Sequence, residues 1–453
     1  MASTYLTRTP SSETANGRRK WTFSCWMKRA DTSGFELFGA DADGARNNNY
    51  HILDFSGTND HLDFNAYESA SIFRLKTTRK FRDVNAWYHI LIAWDTTQAT
   101  ASDRVKIYVN GVRETAFDLE NYPSQNYQGK IFSSGKIHHI GGRSGAYFNG
   151  VLSHIHACEG YVYQPSDFGS TDATTGEWQI NTSPSVTYGT NGFFILKDGN
   201  SVTDQSGNGN NFTVAGGTLT NTEDSPSNVF CTLNPLGLNA DVTFASGNNN
   251  AIYGTSGTRS IVTGTLGANS GKYYWECEIQ GSVSANNAVL GVSMSGWETG
   301  YSVAGETNQS WGFKGYDGAV QNNNSSVGGT WATFTNGDII GVAINLDDEQ
   351  DGLNKLYFSK NGTWLNGADP SNHSATTGVV GITKPENGDS GFYFPVISDA
   401  GSSATPKFKM NFGNGYFGTV AVSSAGTNKS GIGIFEYDVP TGFTALSTKG
   451  LNL

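Results

Sequence analysis

The sequence predicts an all-β chain made of two tandem antiparallel β-sandwiches. Glycine is abundant, at 57 of 453 residues, while aromatic residues reach 12% and charged residues only 15%. Such a composition is typical of sheets joined by tight turns, whereas coiled coils require Ala, Glu, Lys and Leu in bulk. Because one hydrophobic core rarely grows past roughly 300 residues, the length predicts two domains.

The first half carries four strand patterns. Residues 21–28 alternate between large apolar and small or polar side chains, as expected for a half-buried strand. Residues 87–94 are almost continuously apolar, which indicates a strand covered on both faces. A strand at 105–109 runs into Asn110-Gly111, and Asn-Gly between two β-prone runs predicts a tight hairpin turn. The run at 147–157 continues the same pattern.

The second half repeats this design. A strand at 271–279 is expected to turn Tyr273, Trp275, Cys277 and Ile279 to one face. Further strands are predicted at 337–346 and 355–360, separated by an acidic loop at 347–351 and followed by the turn Asn361-Gly362. We therefore expect a first sandwich at 1–221, a linker at 222–235, where Ser and Pro accumulate, and a second sandwich at 236–453.

Charge and cysteine content restrict the cellular context. A net charge of −11 gives the chain no electrostatic footprint for nucleic acid or for an anionic membrane. No apolar run reaches the length of a transmembrane helix, and the first residues lack the apolar core of a signal peptide. Synthesis in a reducing cytoplasm is expected. The chain has four cysteines, Cys25, Cys158, Cys231 and Cys277. In a reducing compartment we expect them to be free thiols in the core, and a Cys25–Cys158 disulfide bridge is the open alternative.

Residues 1–220 resemble a laminin-G-like, concanavalin A-like domain. The similarity rests on residues 21–28, 87–90, 107–111 and 148–152. It implies an antiparallel jelly-roll sandwich. Residues 191–196 and 204–210 resemble the segment that usually begins such domains. Because this segment lies at the end of the domain here, a permuted strand order is expected.

The second half resembles a SPRY domain. Seven short matches occur in order over about 140 residues, which makes the signal specific. The resemblance implies a bent antiparallel sandwich that binds partners through its loops. The matching stretches are 271–276, 290–292, 310–313, 337–341, 357–362, 394–396 and 410–413.

The combination also resembles structural proteins of marine bacteriophages, particularly cyanophages. Three stretches carry this similarity: residues 5–11 at the start, 224–236 at the joint and 440–449 near the end. The resemblance implies a virion component with lectin-like modules, assembled in the host cytoplasm and exposed on the particle. Its implied partners are capsid, tail or fibre subunits, further copies of itself and host cell-surface glycans.

An enzymatic alternative rests on two carboxylates. Glycosidases of concanavalin A-like folds need two carboxyl groups within about 5–9.5 Å of each other. Glu276 and Glu278 stand two residues apart on one strand, so they share a face. The SPRY resemblance instead makes them ordinary outward-facing strand residues, and we expect no enzymatic activity. No motif proposes a Ser-His-Asp triad.

A calcium site is predicted in the loop at 204–210. Asp204, Ser206, Asn208 and Asn210 supply oxygen atoms at alternating positions, and intervening glycines allow sharp turns, which suits a hard cation. The alternative is a turn whose Asp and Asn side chains cap their own backbone. The acidic loop at 347–351 is expected to be a solvated hairpin loop.

Ligand contacts are expected in neutral loops that carry aromatic rings. Sugars bind to aromatic faces flanked by planar polar groups. Trp311 and Trp331 are expected in the core. The candidate contacts to a glycan or a protein partner are Trp297, Tyr301, Tyr316, Asn323, Asn48 and Tyr50.

We therefore expect a non-enzymatic virion protein that attaches the particle to its host by weak, multivalent contacts. Two alternatives remain open: a purely structural subunit that binds only other virion proteins, and a polysaccharide-degrading enzyme.

Overall fold

The computed structural model divides the chain into two compact units. Unit 1 comprises Met1–Asn221 and Ser225–Ser227, and unit 2 comprises Thr222–Asp224 and Asn228–Leu453. The predicted all-β class is confirmed, since every helical turn among the described residues is a short 3₁₀ segment. The structure describes residues 4–32, 36–41, 49–56, 60–84, 86–143, 145–197, 201–236, 241–254, 259–283, 288–294, 303–347, 353–372, 374–400 and 405–452.

Unit 1 is a sandwich of two antiparallel sheets. Its strands are Tyr5–Arg8 (β1), Lys20–Arg29 (β2), Glu36–Asp41 (β3), Asn49–Ser56 (β4), His61–Glu68 (β5), Ser71–Lys80 (β6), Trp87–Asp95 (β7), Val105–Val109 (β8), Val112–Arg113 (β9), Phe117–Asn121 (β10), Ile137–Ile140 (β11), Gly142–Arg143 (β12), Ala146–Tyr147 (β13), Gly150–Glu159 (β14), Gly169–Thr171 (β15), Trp178–Ile180 (β16), Phe193–Ile195 (β17) and Thr213–Ala215 (β18). Its 3₁₀ turns are Ala101–Asp103 and Pro165–Asp167. The larger sheet has the order β10-β6-β5-β4-β3-β11-β1-β18, and the smaller sheet has the order β17-β14-β2-β7-β8-β9.

The two sheets enclose an aromatic core. Trp21 stacks on Trp94 with ring centroids 5.4 Å apart, and Phe23 stacks on Phe38 at 4.2 Å. Strands β17 and β18 extend one edge of each sheet, β17 beside β14 and β18 beside β1. Residues well beyond position 160 therefore complete both sheets of unit 1.

The prediction that β2 is half-buried is wrong. Every residue of β2 after the first is buried, because residues 160–190, here called the covering segment, lie on the outer face of the smaller sheet. Thr22 Oγ1 donates to the carbonyl of Tyr161 at 3.0 Å and accepts from the N–H of Tyr163 at 2.8 Å. The same cover confirms the prediction for β7, which packs Leu91 and Ala93 against this segment.

Unit 2 is a second antiparallel sandwich. Its strands are Val242–Ala245 (β19), Asn250–Tyr253 (β20), Ser260–Thr263 (β21), Lys272–Gln280 (β22), Val289–Ser293 (β23), Ser310–Lys314 (β24), Ala319–Asn322 (β25), Ser325–Thr330 (β26), Ile339–Asn345 (β27), Asn354–Lys360 (β28), Thr363–Trp364 (β29), Val380–Ile382 (β30), Phe394–Asp399 (β31), Lys407–Asn411 (β32), Tyr416–Phe417 (β33), Val420–Ala421 (β34) and Thr444–Ala445 (β35). Its 3₁₀ turns are Leu365–Gly367, Pro385–Asn387 and Gly450–Asn452. One sheet has the order β19-β20-β32-β22-β27-β28-β29, with β30 beside β28 and β35 beside β22, and the other has the order β21-β31-β23-β24-β25-β26.

Strand β22 is covered on both faces. The face predicted to be apolar lies in the main core of unit 2, with Trp275 and Cys277 among its residues. On the opposite face Tyr274 belongs to a second core with Phe435 and Phe443. These last two residues belong to residues 423–443, here called the strap, which lies over this face of the larger sheet.

Both predicted Asn-Gly turns are confirmed by their backbone angles. Asn110 and Gly111 have φ of 46° and 79°, and Asn361 and Gly362 have φ of 49° and 79°. Two successive positive φ values define a type I′ turn, whose twist matches that of the flanking strands.

The four cysteines are free and buried, as predicted. Cys25 lies in the main core of unit 1, whereas Cys158 packs on the opposite face of the smaller sheet, beneath the covering segment. The alternative of a Cys25–Cys158 bridge is therefore wrong.

The predicted linker at 222–235 needs a correction. Residues 228–235 belong to unit 2, because Phe230, Cys231 and Leu233 are buried in its cores. Apolar side chains in a Pro- and Asn-containing stretch thus pack inward.

The structure shows no helix with the length and hydropathy to span a membrane among the described residues.

Candidate functional site

The two carboxylates predicted to share a face of β22 have different surroundings: Glu276 is buried, and Glu278 forms an ion pair. Glu276 is fully buried, which corrects the expectation that it faces outward. Its carboxylate accepts hydrogen bonds from Tyr274 Oη at 3.0 Å, Asn411 Nδ2 at 3.2 Å and the N–H groups of Glu436 and Tyr437, each at 2.9 Å. Burial raises the pKa of Glu276 to about 7 against the opposing effect of these donors.

This geometry gives Glu276 an anchoring role. Four donors occupy the lone pairs of a carboxylate that is covered by the strap, so a substrate has no path to either oxygen atom. Glu278 lies on the same face and pairs with Lys409, with Oε2 3.1 Å from Nζ. The two carboxylates thus hold elements of unit 2 together.

A buried Ser–His pair occurs in unit 1, and its hydrogen bonds run in the wrong direction for catalysis. Trp178 Nε1 donates to His89 Nδ1 at 3.0 Å, so the ring proton resides on Nε2, 2.8 Å from Ser24 Oγ. Burial lowers the pKa of His89 to about 3, which keeps the ring neutral. A general base needs a free lone pair facing the serine, and here that nitrogen is the donor.

The predicted calcium residues come together in one turn. Asp204 Oδ1 accepts from the N–H groups of Phe194 and Ser206, each at 2.9 Å, and Oδ2 accepts from Ser206 Oγ and Asn210 N–H, each at 2.8 Å. Asn208 Nδ2 donates to the carbonyls of Gly189 and Gly192. The side chains cap the backbone, and a cation would have to displace these donors; calcium binding here stays a prediction.

Arg8 joins this turn to the first strand of unit 1. Its Nη1 donates to the carbonyl of Asn191 at 3.2 Å, and its Nη2 donates to Asn210 Oδ1. Two motifs that the sequence presents separately, residues 5–11 and 204–210, therefore meet in one hydrogen-bonded cluster.

The predicted contacts in unit 2 lie at separate places. Tyr316 is exposed in the turn between β24 and β25, and Asn323 is exposed in the turn between β25 and β26. A four-residue strand separates them by roughly 10–13 Å, so the two do not share one subsite. Trp311 and Trp331 are core residues, as expected. Trp297, Tyr301 and Asn48 lie outside the described residues.

Tyr50 lies on the outer face of the larger sheet of unit 1. It stands opposite Tyr67 on β5, and the two half-buried rings stack with centroids 5.9 Å apart. Beside them Asp63 Oδ2 accepts from Arg74 Nη2 at 2.6 Å, and Asp63 Oδ1 accepts from Asn65 Nδ2 at 3.1 Å. Paired rings with planar polar groups alongside are the elements of a carbohydrate subsite.

More polar groups extend this outer face. The register places Glu36 opposite Asp54, and Asp54 opposite Asp63, on three neighbouring strands. Arg143 Nε lies 3.3 Å from Glu36 Oε2, and His139 Nε2 lies 3.3 Å from Asp41 Oδ1. We call the following set the polar face: Glu36, Asp41, Tyr50, Asp54, Asp63, Asn65, Tyr67, Arg74, His139 and Arg143. Tyr50, Tyr67, Arg74 and Arg143 are half-buried, and the other six side chains are buried within unit 1.

Sequence reasoning found only Tyr50 of the polar face. The missed signal is the period-two pattern of β4 and β5, where Asp54, Asp63 and Asn65 alternate with core Leu and Phe residues. Opposite carboxylates become visible only once the strand register is known. Within the described part of the chain, no three His, Cys, Asp or Glu side chains form a group that could hold a metal ion.

Two regions of the chain match known domain families. Residues 2–160 match a laminin G family described as the concanavalin A-like lectin/glucanases superfamily, and residues 272–413 match the SPRY domain. The chain therefore contains a laminin-G-like, concanavalin A-like domain and a SPRY domain, as both resemblances predicted. No curated protein sequence matches the chain significantly.

Solved structures similar to the chain include SPRY domains and a pentraxin. The SPRY domain of human HERC1 is 18% identical, covering 36% of this chain and 86% of that chain with a TM-score of 0.25. A further human SPRY domain is 15% identical, covering 37% and 94% with a TM-score of 0.27. The heptameric SAP-like pentraxin from Limulus polyphemus is 14% identical, covering 48% and 96% with a TM-score of 0.27.

Proposed function

We propose that the protein is a non-enzymatic structural component of a bacteriophage virion that attaches the particle to glycans on the host surface. The resemblance of residues 5–11, 224–236 and 440–449 to marine phage proteins motivates the virion assignment. Within this assignment, unit 1 supplies the glycan-binding surface on the face of its larger sheet, and both sandwiches serve as rigid scaffolds.

The half-buried part of the polar face, namely Tyr50, Tyr67 and Arg74, carries the proposal. The stacked rings of Tyr50 and Tyr67 offer an apolar platform, and Arg74 beside them is held by Asp63 in a fixed orientation. A guanidinium fixed in this way presents planar donors to hydroxyl groups without further loss of side-chain entropy. One such site binds weakly, and several copies on a particle convert weak contacts into avidity.

A glycan array probed with the purified full-length chain tests this proposal. We expect saturable binding to a subset of neutral or acidic glycans, and a loss of at least tenfold in affinity for Tyr50→Ala. Tyr161→Ala is the matched control, because Tyr161 is an exposed tyrosine of unit 1 in the covering segment. Equal losses in both variants, or no binding by the wild type, would contradict the glycan role.

The two alternatives have distinct outcomes. A purely structural subunit would bind no glycan but would appear in purified particles in a fixed ratio to the capsid or tail subunits. A polysaccharide-degrading enzyme would release soluble fragments from host polysaccharide, and Glu276→Gln would abolish that release. The buried, fully hydrogen-bonded state of Glu276 argues against this second alternative.

A further inference from the structure

A buried carboxylate in unit 1 links a hydroxyl group to a carboxamide. Glu159 Oε1 accepts from Thr14 Oγ1 at 2.8 Å and from Asn191 Nδ2 at 3.1 Å. Glu159 Oε2 accepts from the backbone N–H of Asn191 at 2.7 Å and from its Nδ2 at 3.3 Å. A hydroxyl nucleophile and a carboxamide whose nitrogen can leave as ammonia thus share one proton acceptor.

The surroundings hold these groups in place and shield the carboxylate and the carboxamide from water, while Thr14 is half-buried. Glu159 and Asn191 are buried, with 2% and 3% of their surface exposed. A Cβ atom at Gly17 would lie 2.1 Å from Glu159 Oε1 and 2.5 Å from Thr14 Oγ1, so glycine lets the backbone close over the site. Asn191 Nδ2 also donates to the carbonyl of Ser12 at 3.2 Å, which orients the amide.

We propose that Thr14 and Asn191 form an intramolecular ester, with Glu159 as the group that moves the proton. Glu159 removes the proton from Thr14 Oγ1, and the oxygen attacks Cγ of Asn191 to form the C–O bond. The C–N bond then breaks, and Glu159 returns the proton to Nδ2 so that ammonia leaves. One Thr hydroxyl and one Asn carboxamide become one ester and one ammonia, and Glu159 ends as it began.

The hydrogen bonds match this order of events. Thr14 is the donor to Glu159, so the carboxylate is placed as a general base for that hydroxyl group. The same oxygen atom contacts the nitrogen that must leave, so the proton travels a short path. Arg8 Nη1 donates to the main-chain carbonyl of Asn191 at 3.2 Å, which helps to hold this residue in place.

An ester at this position would cross-link the first and last parts of unit 1. Thr14 belongs to the segment between β1 and β2, and Asn191 lies two residues before the start of β17. Closing so long a loop covalently removes conformational entropy from the unfolded chain, as a disulfide does. The link would serve a protein that forms no disulfide among its four buried thiols.

Peptide mapping of the purified full-length chain tests the proposal. Cleavage after Lys and Arg places Thr14 in peptide 9–18 and Asn191 in peptide 144–197. We expect one species with the summed mass of both peptides less one ammonia, and mild alkali should separate it into two. Thr14→Ser should keep the link, and Thr14→Val, which preserves the side-chain shape without the hydroxyl, should abolish it.

Two results would overturn the proposal. The first is recovery of both wild-type peptides separately with unmodified masses. The second is loss of ammonia from peptide 144–197 without a link to peptide 9–18, persisting in Thr14→Val. This second pattern would instead identify cyclisation of the Asn191-Gly192 backbone, which also releases ammonia. Thr14→Val removes one donor to Glu159 and leaves the three bonds from Asn191, so Thr14→Ser, which keeps that donor, is the control for disruption of the cluster.

Discussion

The backbone N–H of Tyr437 donates a hydrogen bond of 2.9 Å to the buried carboxylate of Glu276, across 161 positions of the sequence. The N–H of Glu436 makes a second bond to the same group, and Phe435 packs edge-on against Tyr274. One carboxylate therefore fixes the strap on the outer face of β22. This contact lies beyond the end of the SPRY match at residue 413.

Glu276→Gln should destabilise unit 2. The glutamine amide nitrogen must face at least one backbone N–H in either orientation, leaving buried donors unpaired. We expect the free energy of unfolding to fall by about 1–3 kcal/mol in denaturant titrations at pH 7. Glu278→Gln is the control, and loss of its Lys409 pair should cost less than about 1 kcal/mol. Equal losses in the two variants would contradict the anchoring role.

Glu276 should also make unit 2 more stable in mild acid than in mild base. Its pKa of about 7 in the folded chain exceeds its ordinary value of 4.5, so the folded state retains a proton that the unfolded state releases. This contribution is fully present below pH 4.5 and disappears as the pH rises through 7, at about 1.4 kcal/mol per pH unit. The stability difference between wild type and Glu276→Gln should therefore shrink from pH 5 to pH 8; a constant difference would refute the shift.

The fold was predictable from the sequence wherever local patterns determine it. Asn110-Gly111 specified its own turn, and alternation along residues 271–279 assigned the core face of β22. The cover on the other face of β2 was not predictable. Thr22 and Ser24 look like solvent-facing residues, and they are buried because the covering segment returns from positions 160–190.

Buried histidines should give unit 1 the opposite response to acid. Burial lowers the pKa of His51, His89 and His138 to about 3, well below the ordinary 6.5. The folded state then binds fewer protons than the unfolded state, so stability present above pH 6.5 is lost as the pH falls. Among the described residues, His51 has no hydrogen-bond partner on either ring nitrogen, and it packs among Trp21, Phe64, Phe73 and Trp94.

His51→Phe should therefore stabilise unit 1 by about 1 kcal/mol at pH 7, since it removes two unsatisfied buried nitrogens. It should also flatten the loss of stability between pH 6.5 and pH 4 by removing one titrating group. His89→Phe is the matched variant: it breaks the bonds to Ser24 and Trp178 and should destabilise the chain at pH 7. A His51→Phe variant that is less stable than the wild type at both pH 7 and pH 4 would contradict this interpretation.

Asp204→Asn should loosen the turn at 204–210. The carboxylate accepts four hydrogen bonds, and an amide cannot accept all of them, so we expect a loss of about 1–3 kcal/mol. Thermal unfolding with calcium or with a chelator separates the two interpretations of this turn. An equal midpoint under both conditions supports the backbone-capping role, and a calcium-dependent rise confined to the wild type supports the cation site.

The candidate site was less predictable than the fold. Composition indicated neutral, aromatic loops, and Tyr50 was found in this way. The polar face arises from strand register, which brings Asp54 and Asp63 together from separate strands. Glu276 shows the same limit. Alternation along β22 predicts only that its side chain points away from the main core, and it is the strap, about 160 residues later, that buries it.

The most direct test of the attachment account is an electron cryo-microscopy reconstruction of the phage particle with this chain placed in the density. The attachment role predicts both sandwiches on the outer surface, in several copies, with Tyr50, Tyr67 and Arg74 of unit 1 turned towards solvent. Absence of the chain from purified particles, or a polar face buried against another virion subunit, would contradict it.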